Sequence, residues 1–345
     1  ILKRFFPFKD WVSDLRNPKI LQADIIAGIT VALVIVPQSM AYAQLAGLPP
    51  YYGLYASFLP VAIASIFGSS RQLATGPVAV VSLLTAAALE PIASNDPSGY
   101  VAYAIMLAFL VGAFQLSLGL LRMGVLVDFL SHPVVTGFTN AAAIIIATSQ
   151  LSKLFGVNVV PQEHHYQTVM NVLSESLINT HTPTLLMGLL AIFIILFCRK
   201  ISNKYPAVLI SVVITTLISW YIKFEVNYGG KVIGVVPDGL PSIQLPQIDL
   251  EQLLNLGTVA IAISLIGFME AISIAKAMAT QTKQRLDADQ ELIGQGLSNI
   301  TASFFQGYPV SGSFSRSAVN ISAGAITGFS CVVTGIVVGI TLLFL

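Results

Sequence analysis

The stretch 72-QLATGPVAVVSLLTAAALE-90 decides the fold of this chain. Its composition is that of a membrane helix. Gly76-Pro77 interrupts it near its start, however, and the remainder is shorter than the roughly 20 apolar residues a bilayer crossing takes. Non-helical backbone sits at mid-membrane only where protein or a watery cavity surrounds it. A half helix beginning at Pro77 therefore implies an extended lead-in that reaches a cavity. Proline suits a first helical turn because its missing N–H would be unpaired there anyway, and Thr75 or Gly76 can serve as the cap. The amides of Val78, Ala79 and Val80 are then left without acceptors. Together with the positive end of the helix dipole they make an anion site.

The rest of the chain agrees with a membrane setting. Of its 345 residues 55% are hydrophobic and 10% charged, against about a quarter charged in a soluble domain. Eleven apolar segments start near positions 24, 53, 74, 100, 130, 183, 205, 256, 288, 310 and 326, the pattern of an all-α polytopic membrane protein. A barrel would alternate instead. A net charge of +1 speaks against nucleic acid as a partner. Cys198 and Cys331 both fall inside apolar runs and read as small core residues. The opening 1-ILKRFFPFKDWVSDLRNPKI-20 is amphipathic and basic, and is expected along the membrane surface. Placing the N-terminus in the cytoplasm puts 13 of the 17 Lys and Arg on that side, Lys3, Arg4 and Lys204 among them. Lys153, Lys223 and Lys231 fall outside, and Arg316 within the tenth segment. Two outer loops are expected, one holding 155-FGVNVVPQEHHYQTVMNVL-173 and one from about Lys223 to Asn255. His164 and His165 lie in the first, with no Cys or carboxylate cluster at metal spacing. His132, before Pro133 at a helix entrance, reads as a cap or interface residue.

An internal repeat sharpens the picture. Segment one carries Gln38 in mid-membrane and segment eight Glu270. Segments three and ten each open with a Gly and a Pro close together. Gln38 to Glu270 and Pro77 to Pro309 are both 232 positions apart. Seven segments separate the copies, an odd number, so the second copy enters the membrane from the opposite side. Inverted repeats with matched Gly/Pro-broken segments mark the binding site of secondary transporters. A second helix end is thus expected near Ser313, Phe314 and Ser315, facing the first. Two positive ends aimed at one point repel each other unless an anion lies between them.

Three side chains are costly where they stand. An arginine in mid-bilayer, Arg316, costs about 2.5 to 3.5 kcal/mol on insertion scales and marks an ion path or a buried partner. It serves the anion or forms a structural salt bridge. Glu270, a carboxylate beside an anion site, is disfavoured in its charged form by desolvation and favoured by Arg316. It carries a proton, or it pairs with Arg316 or Lys276 to fix packing. Gln38 cannot titrate and donates a hydrogen bond to substrate or to a neighbouring helix, and Tyr42, one turn on, lines the cavity or the core. Ser311, Ser313, Ser315 and Ser317 add hydroxyls that share a face only if the backbone is extended, and otherwise serve as packing glue. HExxH, GxSxG and P-loop patterns do not occur, so no enzyme and no cofactor are expected.

The run 37-PQSMAYAQLAGLPPYYGLYASFLPVAIASIFGSSRQLATGPVAVVSL-83 closely resembles the signature of the sulfate permease family, the solute carrier 26 group. The run 304-FFQGYPVSGSFSRSAVNISAGA-325 resembles the same family's tenth helix. The resemblance implies an inverted-repeat fold of the 7+7 type, with two half helices meeting at the midplane between a core and a gate domain. At matching positions it implies Gln38, Tyr42, Val78, Ser313, Phe314, Ser315 and Arg316 as anion-binding residues, to which the amide argument adds Ala79. Glu270 resembles the acid of proton-coupled members. The wording 37-PQSMAYA-43 and 68-GSSRQLATGP-77 resembles sulfate-transporting members. Bicarbonate or chloride exchange is the alternative within the class, and an uncoupled channel or motor the alternative outside it.

The domain expectations are a cytoplasmic N-terminal segment at 1–22, a core first half at 23–127, a gate at 128–225, an extracellular loop at 226–255 and a core second half at 256–345. Segments 12 to 14 and a STAS domain are expected to be missing, so the chain reads as a fragment. Expected partners are an inorganic anion, sulfate first, with the proton as coupling ion, the bilayer, and a second copy in a homodimer, in a plasma or bacterial inner membrane.

Overall fold

The computed structural model describes residues 7–93, 96–125, 132–160, 162, 164–202, 206–234, 236–237, 239–246 and 250–344. Lys3, Arg4 and Lys204 of the basic tally lie outside them, as do the residues leading into the fifth segment. The side chain of His132 is likewise outside the description.

All eleven apolar segments are present in order. The first is α2 (Pro18–Leu45), preceded by the short α1 (Lys9–Val12), and it is followed by α3 (Tyr51–Phe67). The strand β1 (Thr75–Gly76) then leads into α4 (Ala79–Ala93), and α5 (Pro97–Leu120) completes the first four. Next come α6 (His132–Ser149), the short α7 (Leu151–Phe155), α8 (His165–Asn179), α9 (Thr182–Ile201), α10 (Ala207–Tyr221) and the short α11 (Phe224–Tyr228). The last group is α12 (Leu250–Thr282), α13 (Ala288–Phe304), β2 (Ser311–Gly312), α14 (Phe314–Ser322) and α15 (Phe329–Phe344). Among the described residues four stretches, Pro18–Leu45, Ser98–Leu120, Thr182–Ile201 and Asn255–Thr282, are long and apolar enough to cross a membrane.

Local signals set the starts. Asn17 caps α2 by accepting from the Lys19 amide at 3.1 Å, with Pro18 in the first turn. Asp96 and Pro97 repeat the device on α5, where the Ser98 amide donates to Asp96 at 3.1 Å. Asp287 caps α13 through the Gln290 amide at 3.1 Å. Each cap satisfies one of the amides that a helix start leaves open.

The chain divides into two compact units, Ile1–His132 with Val236–Leu345, and Pro133–Val235. In the first, α13 packs against α5 and α3, α15 lies against α2 and α3, and α12 runs beside α5. Glycines set how closely α5 and α13 approach. A Cβ on Gly296 would stand 2.5 Å from the Leu116 amide nitrogen, and one on Gly112 would stand 2.7 Å from the Gly296 carbonyl oxygen. Small residues at such crossings let backbones meet where lipid supplies no hydrophobic drive. Gly296→Val is expected to lower stability by about 1 to 3 kcal/mol, the usual cost of overpacking, read as a fall in the melting temperature of the detergent-solubilised protein.

The second unit pairs α9 with α10 around Ile194, Cys198 and Ala207. Two readings change here. The first outer stretch is not all loop, because α8 occupies His165–Asn179. Tyr166, Met170, Leu173 and Leu177 recur at helical spacing on it, a period masked by the polar residues between them. The second stretch contains α11, and its last residues already belong to α12. The N-terminal segment is tied to protein. Trp11 is buried, with its ring 3.1 Å from where a Cβ of Gly328 would stand, and Asp14 pairs with Arg71 at 3.5 Å.

Candidate functional site

The two interrupted segments meet. β1 and β2 form an antiparallel two-stranded ladder in which Thr75 faces Gly312 and Gly76 faces Ser311. Just beyond it the Ser313 amide donates to the Ala74 carbonyl at 3.0 Å. The antiparallel register gives the pair a local two-fold relation, and each strand leads within a few residues into the N-terminus of its own half helix, α4 or α14. Pro77 with Pro309 is therefore not the equivalent pair. The register makes Thr75 the counterpart of Ser311 and Gly76 that of Gly312. Pro309 lies ahead of β2 in the extended lead-in, and Pro77 lies between β1 and α4.

The start of α4 sits slightly later than expected, and that of α14 falls where it was expected. The Ser82 amide bonds the Val78 carbonyl at 2.9 Å, and the Ser317 amide bonds the Ser313 carbonyl at 3.0 Å, so Val78 and Ser313 occupy cap positions. The first-turn amides without intrahelical acceptors are those of Ala79, Val80 and Val81 on α4 and of Phe314 and Ser315 on α14. On α14 the Arg316 amide is taken by the Ser313 hydroxyl at 3.4 Å. Thr75 does not cap α4, since its hydroxyl accepts from Gln295 at 2.9 Å.

The nine candidate residues all belong to the first unit. Gln38 and Tyr42 stand one turn apart on α2, both half-buried. Ile35, a turn before Gln38, reaches to 3.1 Å from where a Cβ on Gly76 would stand. Val78 and Ser313 are buried and Ala79 half-buried, whereas Phe314 and Ser315 are exposed. Glu270 stands on α12 beside Ala271, whose Cα is 3.1 Å from where a Cβ on Gly312 would stand. Three of the four serines have structural duties, Ser313 as the cap of α14. Ser311 donates to the Gly267 carbonyl at 2.6 Å, and Ser317 accepts from the Ala74 amide at 2.9 Å.

Arg316 is 0% exposed, and none of its three side-chain nitrogens has a hydrogen-bond partner in the protein. One of them, Nη2, lies 3.3 Å from where a Cβ on Gly76 would stand, so the guanidinium sits against β1. Tyr42, Tyr308 and Glu270 are within electrostatic reach of it. Among the described residues no ion pair joins Arg316 to a carboxylate. Glu270 Oε2 and Gln38 Oε1 are also buried without partners. Unpartnered polar groups of this kind cost about 1 to 3 kcal/mol each, more when charged. Arg316 thus keeps all its side-chain donors unused beside the N-termini of α4 and α14, an arrangement suited to a small anion, while the acceptor oxygens Gln38 Oε1 and Glu270 Oε2 are also unpaired.

The surrounding polar groups were not singled out from sequence. Asp24, fully buried, accepts from the Ile326 amide at 2.7 Å and the Thr327 amide at 3.1 Å. Asn299 exchanges two bonds with Val310, its Nδ2 donating at 3.0 Å and its Oδ1 accepting at 2.8 Å, and so holds the second lead-in as a strand neighbour would. Tyr308, in that lead-in, shares a bond with Ser82 of the opposite half helix at 3.2 Å. The sequence signal for Asp24 was available, since it is a carboxylate at the start of an apolar run, whereas Glu291 follows Asp287, Asp289 and Gln290 in a polar first turn of α13 and does not stand out.

The sequence model of the sulfate permease family matches residues 21–345. Sulfate transporter 4.1, chloroplastic, of Arabidopsis thaliana is 39% identical over 348 residues, covering 99% of this chain and 50% of that protein. The sodium-independent sulfate anion transporter of Bos taurus is 33% identical over 377 residues, covering 100% of this chain and 61% of that protein. The chain spans about half the length of the curated relatives it matches. Among solved structures, the overall structure of SLC26A9 superposes with a TM-score of 0.93 at 23% identity, covering 99% of this chain and 57% of that one. The transmembrane domain of the cyanobacterium bicarbonate transporter BicA superposes with a TM-score of 0.83 at 25% identity, covering 94% and 83%. The fold is that of the inverted-repeat transporters it resembles.

Proposed function

The chain belongs to the sulfate permease family, and from that premise we propose that it forms the anion-carrying part of a secondary active transporter, with sulfate as substrate and the proton as coupling ion. The observation that carries the reading is Arg316, a fully buried guanidinium with no protein partner beside two helix N-termini. Taking a cation out of water costs several kcal/mol, and a charge of opposite sign bound at close range repays it. The anion is held by Arg316, by the first-turn amides of α4 and α14 and by Gln38 and Tyr42, with Val78, Ala79, Ser313, Phe314 and Ser315 shaping the site. Glu270 carries the proton. The unit holding these residues acts as the core and Pro133–Val235 as part of the gate, with alternating access by elevator-like movement of one against the other. The excess of Lys and Arg places the N-terminus in the cytoplasm, in a plasma or bacterial inner membrane, and the working assembly is a homodimer.

Sulfate is preferred to bicarbonate or chloride because both curated relatives described above carry sulfate in their names. The test is uptake of radiolabelled sulfate by the full-length protein in proteoliposomes at two external pH values. Uptake that rises with external acidity is the expected result. Sulfate uptake indifferent to the pH gradient removes proton coupling, and bicarbonate or chloride flux without sulfate uptake removes the substrate.

A further inference from the structure

We propose that Glu291 is a positioning residue for the anion site, a buried two-sided acceptor that sets β1 through Gln295; the inference rests on the site proposed above. Glu291 stands in the first turn of α13 and is 1% exposed. Every group bonded to it is a donor. Its Oε2 accepts from the Ser70 amide at 2.9 Å and the Ser69 amide at 3.0 Å, and its Oε1 accepts from Gln295 Nε2 at 3.2 Å. The same Gln295 nitrogen gives its other hydrogen to Thr75 Oγ1 at 2.9 Å. Thr75 is the first residue of β1, and β1 fixes where α4 begins relative to β2 and Arg316. Glu291 is thus two side chains away from the ladder that brings the helix N-termini together.

The approach is built into the backbone. A Cβ on Gly294 would stand 2.6 Å from the Gly68 Cα, and a Cβ on Gly68 would stand 3.2 Å from Glu291 Oε2. The glycines let the turn after α3 come down onto α13 until its amides reach the carboxylate.

The acceptor set explains why the residue is an acid. A carboxylate accepts on both oxygens, whereas a glutamine accepts on one side and donates on the other. Glutamine at 291 keeps the Ser69 and Ser70 amides but turns its NH2 toward the NH2 of Gln295. Gln295 must then turn over, which buries its own NH2 where only an unpaired oxygen lay before, or lose its partner. In either case Thr75 is no longer held as it was. A negative charge acting directly on the anion predicts the opposite sign, because removing it would tighten anion binding.

The experiment is uptake kinetics of the full-length protein in proteoliposomes, with labelled sulfate and labelled chloride measured side by side in wild type. A wild type that carries chloride and not sulfate ends the sulfate reading alone, and the comparison is then made on chloride. Glu291→Gln is expected to raise KM about tenfold with turnover changed less than threefold, the pattern of lost anion binding. The double variant Glu291→Gln with Gln295→Glu, which returns a two-sided acceptor to the pair, is expected to bring KM back to within about threefold of wild type. Gln295→Leu cuts the link without touching the Ser69 and Ser70 bonds, and is expected to raise KM as Glu291→Gln does. It carries the test if Glu291→Gln fails to reach the membrane. An unchanged or lowered KM in Glu291→Gln, or a raised KM that the double variant does not repair, overturns the proposal.

Discussion

Arg316→Gln is expected to weaken sulfate binding by roughly 1 to 3 kcal/mol, the scale of a charge-assisted hydrogen bond, or about 5- to 150-fold in Kd. The protein is expected to fold without loss of stability. Arg316 is wholly buried and none of its side-chain nitrogens is bonded to protein, so the substitution removes an uncompensated charge and breaks no native pair. Two melting curves separate the roles. Wild type is expected to gain stability as sulfate is added, because a ligand that binds only the folded state stabilises it by mass action. The variant is expected to melt no lower than wild type without sulfate and to gain little when sulfate is added. A variant that unfolds early would return Arg316 to a packing role, and one that binds sulfate normally would remove it from the site.

Glu270→Gln is expected to abolish acid-driven net uptake while leaving sulfate-for-sulfate exchange largely intact. Inward movement of a divalent anion against a negative-inside potential costs about 2.3 kcal/mol per charge per 100 mV, and protons moving with it offset that. On the proposed mechanism Glu270 carries the proton. Its Oε2 is buried and accepts no hydrogen bond, no ion pair ties it to Arg316 among the described residues, and it lies within electrostatic reach of that arginine. Glutamine mimics the protonated form, so the anion site is preserved while proton release is lost. Uptake under an inward pH gradient and exchange without one, measured on the same vesicles, decide the matter. A variant that concentrates sulfate with the gradient as wild type does would end the carrier role.

Much of this site was legible before any coordinates. Gln38 and Glu270 stand out because a polar group in an apolar run is expensive, and that expense does not depend on the neighbours. Gly76-Pro77 stands out because the break is covalent: proline lacks the N–H and glycine lacks the Cβ. The pairing of Pro77 with Pro309 was misleading for a related reason. Two prolines at matched spacing are visible in sequence, but equivalence is a property of the strand register, which pairs Gly76 with Ser311 and so makes Gly312 the two-fold counterpart of Gly76. The helix α8 was overlooked because polar residues and a proline surround an apolar stripe that shows only when counted at helical spacing.

What the amino-acid sequence determined by itself is the set of elements and their costs: eleven apolar segments, two of them broken, one repeat inverted against the other, and an arginine with no business in lipid. These follow from local chemistry, since hydropathy, proline and glycine act where they stand. What only the tertiary structure decided is which polar groups cancel one another. Asp24 and Glu291 are satisfied by amides hundreds of residues away in the chain, whereas Arg316 and the Oε2 of Glu270 are not. Hydrogen bonds to backbone amides depend on where the chain folds back rather than on residue type. Residue type alone therefore does not tell a charge that the fold satisfies from one that it leaves unpaired, and only the fold separates Asp24 and Glu291 from Arg316 and Glu270.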